Sequence, residues 1–385
     1  MDLTQHYLGW RMFRNSGWHF PLGLCDTGIY PYLSSVVYTD SIPLFAVLFK
    51  ILSPILPAKF QYFGLFGIIC FMLQGGMAKL LIRRFIKNEW ISSIGAVFFV
   101  STITFVQRMF WHTALASHFL ILMAIALYVY RDRIEKLSTR VILWTVLGAL
   151  TISLHFYLYG MISVMLGFFA LLEAIDDKGG AKKAVFRFCL YIVLYLVITV
   201  TLFYLLGGFY GTINVSGSGN DLHNAGIKAL FEPKSLSVFF NERDYSDGEK
   251  EGLCYLGMAI SVLLIPAIIS FIREFKKLWR NRKKLVIISF LMTALLYVFS
   301  LSPVIMWGDK YLFSIDFIPG FIQKYSWGIF RACGRFMWPI MYGLMLFAIV
   351  YSAKLILDVN NSGKTRSEHF CSSASAQCFM ICSTL

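Results

Sequence analysis

The stretch that decides the fold is RVILWTVLGALTISLHFYLYGMISVMLGFFALLEAI, residues 140–175. Between Arg140 and Glu173 it carries no lysine, arginine, aspartate or glutamate. A single α-helix of 36 residues would be about 54 Å long, whereas the hydrocarbon core of a bilayer is about 30 Å thick. The run therefore predicts two membrane-crossing helices that separate near residues 155–160.

The rest of the chain has the same character. Hydrophobic residues make up 58% of the 385 residues and charged residues 15%, against about 25% charged in soluble domains. The apolar runs are continuous, unlike the alternating strands of a membrane barrel. The sequence predicts an all-α, polytopic transmembrane helical bundle with nine spans. The predicted spans are 60–82, 90–106, 112–130, 140–155, 157–175, 186–207, 253–273, 285–302 and 335–357.

Lysine and arginine cluster in the loops after the first, third and fifth spans and in the segment 273–284. Basic loops stay in the cytoplasm, so the segments 1–40, 208–252 and 303–334 are predicted to lie outside. The same clustering accounts for the net charge of +14. We therefore expect no nucleic-acid partner.

The apolar run SIPLFAVLFKILSPILP, 41–57, contains Lys50 and three prolines. By hydropathy alone it could cross the membrane, but the loop charges favour an interfacial or re-entrant helix on the outer face. The predicted organisation is then a first outer loop (1–58), a transmembrane bundle (59–357) and a disordered tail (358–385).

Polar side chains gather in the outer segments. Asp2 and His6 would share one face of an amino-terminal helix, or belong to an ordinary polar terminus. Asp40 precedes Pro43, so it is a site residue, a helix N-cap, or both. The other candidates are charged residues or histidines in the outer segments or at the outer ends of spans: Arg11, His112, Glu251, Arg331 and Arg335.

Positive charge on the outer side opposes the usual bias. Arg331 and Arg335 are one helical turn apart, which favours a bound anion such as phosphate. Contact with lipid headgroups is the alternative.

Four stretches together resemble a known family: MDLTQHYLGWRMFR (1–14), YTDSIPLFAVLFKILSPILP (38–57), EGLCYLG (251–257) and FRACGRFMWP (330–339). They are similar to bacterial polytopic membrane proteins grouped with the GT-C glycosyltransferases, over about residues 2–357. GT-C enzymes, such as protein O-mannosyltransferases and lipid A aminoarabinose transferases, use polyprenyl-phosphate-linked sugars. The resemblance implies a multi-pass transferase of the bacterial inner membrane that works on its outer face.

The resemblance also implies roles for residues. The catalytic acid of GT-C enzymes lies in the first outer loop, which carries surface helices. Asp2 occupies that position, Asp40 is the second catalytic candidate, and 41–57 matches a surface helix. His6, Arg11, His112, Glu251, Arg331 and Arg335 are the candidates for binding substrate or phosphate.

The chemistry of an inverting transfer fits these residues. A carboxylate deprotonates the acceptor hydroxyl, and positive charge stabilises the departing phosphate. Arg331 and Arg335 could supply that charge without a metal. A divalent cation on Asp2 and Asp40 is the alternative, and oxygen ligands suit Mg²⁺ or Mn²⁺.

Relatives carry a helix before the acid and an outer soluble domain after the bundle. The resemblance therefore implies a chain truncated at both ends. Two other functions stay open: a transporter or flippase of a lipid-linked or anionic substrate, and an inactive membrane remnant. The sugar donor, the acceptor and the oligomeric state are not predicted.

Overall fold

Helices dominate the computed structural model, which describes residues 2–210, 224–233, 249–307, 310–315 and 317–362. Two short antiparallel β-hairpins accompany the helices in these residues: β1 (Leu24–Ile29) with β2 (Tyr32–Ser35), and β3 (Val304–Trp307) with β4 (Lys310–Ser314). The α-helices are α1 (Asp2–Asn15), α2 (Pro43–Ile51), α3 (Phe63–Arg83), α4 (Glu89–Val100), α5 (Ile103–Trp111), α6 (Phe119–Val129), α7 (Leu137–Leu154), α8 (Phe156–Ile175), α9 (Ala181–Leu205), α10 (Met258–Ser300), α11 (Gly320–Tyr325) and α12 (Trp338–Ser362). The predicted all-α polytopic bundle is confirmed.

Six helices among the described residues are long and apolar enough to cross a membrane. The pair α4 and α5, which bend by 47° relative to each other, passes the same test together and would be a seventh such helix if it is one broken span. The predicted number of nine spans stays a prediction. Many of the apolar side chains face outward: only 17% of the most apolar stretch of α9 is buried inside the protein. A bilayer would cover this surface.

Helix α10 is 43 residues long and would measure about 64 Å if straight. Its backbone leaves the helical region at Arg282, where φ is −139°. Both of its ends lie beside residues 225–230: the N–H of Leu256 donates to the carbonyl of Leu230, and the N–H of Ala225 donates to the carbonyl of Ser300. The chain therefore reverses at Arg282, and the two legs correspond to the predicted spans 253–273 and 285–302.

The break in the run 140–175 lies where the length argument predicts it. Helix α7 ends at Leu154 and α8 begins at Phe156, so His155 alone separates them. His155 has extended backbone angles, and its ring Nδ1 accepts a hydrogen bond of 3.1 Å from the backbone N–H of Tyr157. This bond supplies one of the acceptors that the first turn of α8 lacks.

One end of the bundle collects the basic loops. Asp132 pairs with Arg84 at the end of α3 and with Arg282 in α10. Asp176 at the end of α8 pairs with Lys284 of α10. These contacts bring the loops that the sequence assigns to the cytoplasm together at what we call the basic end. That this end faces the cytoplasm stays a prediction.

The amino-terminal segment lies at the opposite end, which we call the site end, where α3 and α8 begin. The indole Nε1 of Trp10 donates to the carbonyl of Phe60, just before α3. Helix α2 has nine residues, a rise of about 14 Å, which is less than half of the hydrocarbon core. As a straight helix it is too short to cross. Its predicted position on the membrane surface remains a prediction.

Candidate functional site

Asp40 lies in a tight connection between a 3₁₀ helix, Val36–Thr39, and α2. Asp40 and Ile42 both have left-handed backbone angles, with φ of 53° and 55°. Aspartate tolerates this region, but it is rare for a β-branched residue such as isoleucine and costs about 1–3 kcal/mol. Strain of this kind collects at functional sites.

The N-cap role considered for Asp40 is wrong. The N-cap position of α2 belongs to Ile42, which makes no side-chain cap, and Pro43 follows as the first helical residue. The carboxylate of Asp40 instead faces His155, the residue between α7 and α8.

Neighbouring side chains hold the strained connection. The hydroxyl of Ser41 donates to the carbonyl of His6 over 2.7 Å and lies 2.8 Å from the hydroxyl of Thr39. The phenol of Tyr62 donates to the carbonyl of Ser41. The loop is thereby tied to α1 on one side and to the start of α3 on the other.

His155 is the partner of Asp40. Its Nε2 lies 3.4 Å from Oδ1 of Asp40. Because Nδ1 accepts the N–H of Tyr157, that nitrogen carries no proton in the neutral ring. The proton of neutral His155 must then be on Nε2, where it points a donor at the carboxylate.

A second carboxylate, Glu251, lies in the short 3₁₀ helix Glu249–Gly252. Its Oε2 accepts from Nε and Nη2 of Arg335 and lies 3.1 Å from Nη1 of Arg108. Its Oε1 lies 3.2 Å from Nε2 of His112. The side chains of Arg108 and Arg335 are only 1% and 8% exposed, so one acid binds two buried cations.

His112 connects the two carboxylate groups. Atoms of His6, Asp40 and His112 that could bind a metal all lie within 4.8 Å of one another. The rings of His6 and His112 have centroids 5.8 Å apart. The five residues Asp40, His155, His6, His112 and Glu251, with Arg108 and Arg335, are called the site cluster below.

The charges in the site cluster keep both acids ionised. Burial alone would raise the pKa of Asp40, but the hydrogen bond and charge of His155, with the charges of His6 and His112, lower it to about 2. Burial likewise opposes ionisation of Glu251, yet the charge of Arg335 and the hydrogen bond of His112 hold its pKa well below the usual range. Burial lowers the pKa of His155, which favours its neutral form.

The two carboxylates differ in their partners. Glu251 binds both guanidinium groups, whereas Asp40 faces a histidine. Asp40 stays reachable, since its side chain is 37% exposed. The site cluster thus presents the accessible, ionised carboxylate of Asp40 beside the buried ion pairs of Glu251.

The structure brings five of the eight predicted site residues together: His6, Asp40, His112, Glu251 and Arg335. Arg335 is already neutralised by Glu251, so its binding of a substrate phosphate stays a prediction. Arg331 is exposed, interacts electrostatically with Tyr157, and makes no ion pair with a described carboxylate.

Besides Arg331, two more predicted residues are not placed in the site cluster. Arg11 points elsewhere, because its Nη1 donates to the carbonyl of Ala58 over 2.7 Å. Asp2 begins α1, one turn before His6, but its side chain lies outside the described part of the chain.

The sequence places Arg108, His118 and His155 at outer helix ends without selecting them as site residues, and it gives no indication of Tyr157. The Cζ of Arg335 lies 4.3 Å from the ring centroid of Tyr157. The hydroxyl of Tyr157 accepts a hydrogen bond from the backbone N–H of Ala332. The break in the run 140–175 was the available indication, since the residue at such a break must bond exposed backbone groups. His118 is different: it is buried against Trp338 and Tyr342 and belongs to the core.

A cavity of about 670 Å³ lies at the basic end rather than near the site cluster, with Lys79, Arg83, Arg84, Lys87 and Arg133 among its lining residues. Glu89 pairs with Lys79 and Arg83, and Asp132 pairs with Arg84. Much of the positive charge that lines this cavity is therefore already paired within the protein. We accordingly place the candidate functional site at the site cluster.

No curated protein and no solved structure matches the chain. The model of the family described as a domain of unknown function, DUF6311, matches residues 1–361, and the chain therefore belongs to that family.

Proposed function

We propose that the protein is a membrane glycosyltransferase of the GT-C type. It would transfer a sugar from a polyprenyl-phosphate donor to an acceptor hydroxyl at the site end of the bundle. The observation that carries the proposal is Asp40: an accessible, ionised carboxylate in a strained loop, oriented by a histidine whose tautomer is fixed. The resemblance of four sequence stretches to GT-C proteins gives the reaction class.

Asp40 is the proposed base. Its carboxylate accepts the proton of the acceptor hydroxyl while the hydroxyl oxygen bonds to the anomeric carbon. The bond between that carbon and the phosphate oxygen breaks, and its electron pair leaves with the phosphate. His155 donates from Nε2 to the other side of the carboxylate and holds its direction. Asp40 thereby replaces Asp2 as the leading candidate.

The departing phosphate needs positive charge. In the site cluster, the guanidinium groups of Arg108 and Arg335 are buried and already bound to Glu251. Arg331, which is exposed at the start of the segment before α12, is the protein cation proposed to meet the phosphate.

The test is transfer by the full chain in nanodiscs, with a panel of radiolabelled polyprenyl-phosphate sugars and extraction of the labelled acceptor. Asp40→Asn keeps the shape of the side chain and removes the base, so transfer should fall by about 10²–10⁴-fold. Asp26→Asn is the matched control. Asp26 also lies in the amino-terminal segment and also faces a histidine, His19, over 3.1 Å, but it is outside the site cluster. Equal activity of Asp40→Asn and wild type would reject Asp40 as the base.

A second candidate function is transport of a lipid-linked anionic substrate. The observation that favours it is Arg108, a buried cation in the bent pair α4–α5, because broken helices and ionisable residues within spans occur in transporters. Movement of a fluorescent polyprenyl-phosphate lipid between leaflets of proteoliposomes, with no sugar transfer, would establish this function instead.

A further inference from the structure

We infer that His6, Asp40 and His112 form a binding site for one divalent transition-metal ion, of the class that prefers imidazole ligands. The three residues come from three separate elements: α1, the connection before α2, and the residue that ends α5. Their ligand atoms already lie within 4.8 Å of one another. A metal with bonds of about 2.0–2.2 Å brings its ligands to roughly 3.0–3.5 Å apart, which side-chain rotations can provide.

The groups behind the ligands suit this role. Histidines that bind metals usually donate their other ring N–H to a carboxylate, which fixes the ring and strengthens the ligand. His112 has Nε2 3.2 Å from Oε1 of Glu251. Asp40 is supported in the same way by His155.

The backbone around the ligands is held as well. The carbonyl of His6 accepts the hydroxyl of Ser41, the residue after Asp40. This bond fixes the spacing between two of the ligands without occupying their metal-binding atoms.

The ion pairs of the site cluster give a reason for a cation. Arg108 and Arg335 are already bound to Glu251, so an anionic substrate would bring additional negative charge into a partly buried place. A divalent ion would offset it. Three protein ligands leave at least one coordination position open, and a phosphate oxygen fits there. This last role rests on the proposed transferase function, whereas metal binding itself does not.

The donor set also selects the metal. Two imidazoles and one carboxylate suit Zn²⁺, Fe²⁺, Co²⁺ or Mn²⁺, while Mg²⁺ and Ca²⁺ prefer oxygen ligands alone. The sequence-based alternative, Mg²⁺ or Mn²⁺ on Asp2 and Asp40, assumed two carboxylates. The structure gathers two histidines around one of them.

The test measures binding without any substrate. The full chain, purified without a histidine tag, is stripped with EDTA and dialysed against Zn²⁺, Co²⁺ or Mg²⁺, and the bound metal is counted by mass spectrometry. We expect one Zn²⁺ or Co²⁺ per chain at the site and no retained Mg²⁺. His6→Ala and His112→Ala should each weaken Zn²⁺ binding at least 100-fold, and Glu251→Gln by about 10–100-fold.

Two controls keep the result specific. His19→Ala, in the same amino-terminal segment and outside the site cluster, should bind as wild type does. The tail contains Cys371, Cys378 and Cys382, and Co²⁺ bound there would show a thiolate charge-transfer band that an imidazole–carboxylate site lacks. Asp40→Asn, which conserves shape, replaces either histidine variant that fails to fold and should also lose the metal.

Unchanged Zn²⁺ affinity in the folded His6, His112 and Asp40 variants would overturn the inference. So would wild-type protein that retains none of the three metals tested. Because no sugar transfer enters this measurement, its failure leaves the test of Asp40 as a base intact.

Discussion

Replacing Glu251 with glutamine should destabilise the protein more than any comparable surface change. The change removes the carboxylate that pairs with both Arg108 and Arg335, whose side chains are 1% and 8% exposed. Breaking a buried ion pair from one side costs about 3–5 kcal/mol, because a buried charge is left uncompensated. The retained amide oxygen still accepts a hydrogen bond, so we expect the lower part of that range.

Glu89→Gln is the matched control. Glu89 also pairs with two cations, Lys79 and Arg83, but its side chain is 54% exposed. An exposed pair contributes about 0–1 kcal/mol, and its position at the start of α4 adds up to about 1 kcal/mol. The two variants should therefore differ by about 1–3 kcal/mol, which is a sizeable part of a total stability of about 5–15 kcal/mol.

The assay is reversible unfolding in mixed micelles, followed by tryptophan fluorescence, at several pH values. The pKa of Glu251 is lower in the folded protein than in the unfolded chain. Its contribution is therefore complete above the unfolded value of about 4.3 and falls as the pH drops below it. The gap between wild type and Glu251→Gln should narrow below about pH 4. A Glu251→Gln variant that is no less stable than Glu89→Gln at neutral pH would refute the argument.

Two glycine variants test the packing around the proposed base. A Cβ on Gly9 would lie 2.4 Å from Cβ of Thr39, so Gly9→Ala should displace the loop that carries Asp40. Sugar transfer should then fall at least tenfold in the activity assay, while circular dichroism shows that α1 still forms. A Cβ on Gly148 would lie 2.1 Å from the ring of Tyr195, so Gly148→Ala should cost about 1–3 kcal/mol in the same unfolding assay without a selective loss of activity. Gly343→Ala, where no heavy atom lies within 4 Å, should change neither quantity, and a Gly343→Ala effect as large as the other two would show that the packing argument fails.

Much of the bundle could be predicted from the sequence, because span length and loop charge are local properties. The run 140–175 predicted a break, and the structure places it at His155. The basic loops predicted a common end, and the ion pairs of Asp132 join two of them there. The continuous path of α10 through Arg282 was not predicted, since the basic segment 273–284 resembles a loop while its backbone stays helical on both sides.

The site was harder to predict because its contacts join distant parts of the chain. Asp40 has local sequence features of an N-cap, yet a histidine 115 positions later takes its carboxylate. Glu251 and Arg335 were each chosen as candidates for binding substrate or phosphate, but no local pattern reveals an ion pair across 84 positions. Local rules often fail at functional sites, and Asp40 shows how a plausible local role is overridden by a tertiary contact.

The turn at His155 links helix formation to protonation. The first N–H groups of α8 have no acceptor within the helix, and those that are buried must find one elsewhere in the protein. The ring of His155 supplies one acceptor through Nδ1. That obligation leaves its single proton on Nε2, facing Asp40. The hydrogen-bonding demand at the start of α8 therefore sets which ring nitrogen is the donor, and the electrostatic environment of the proposed base follows from how the chain turns between two apolar helices.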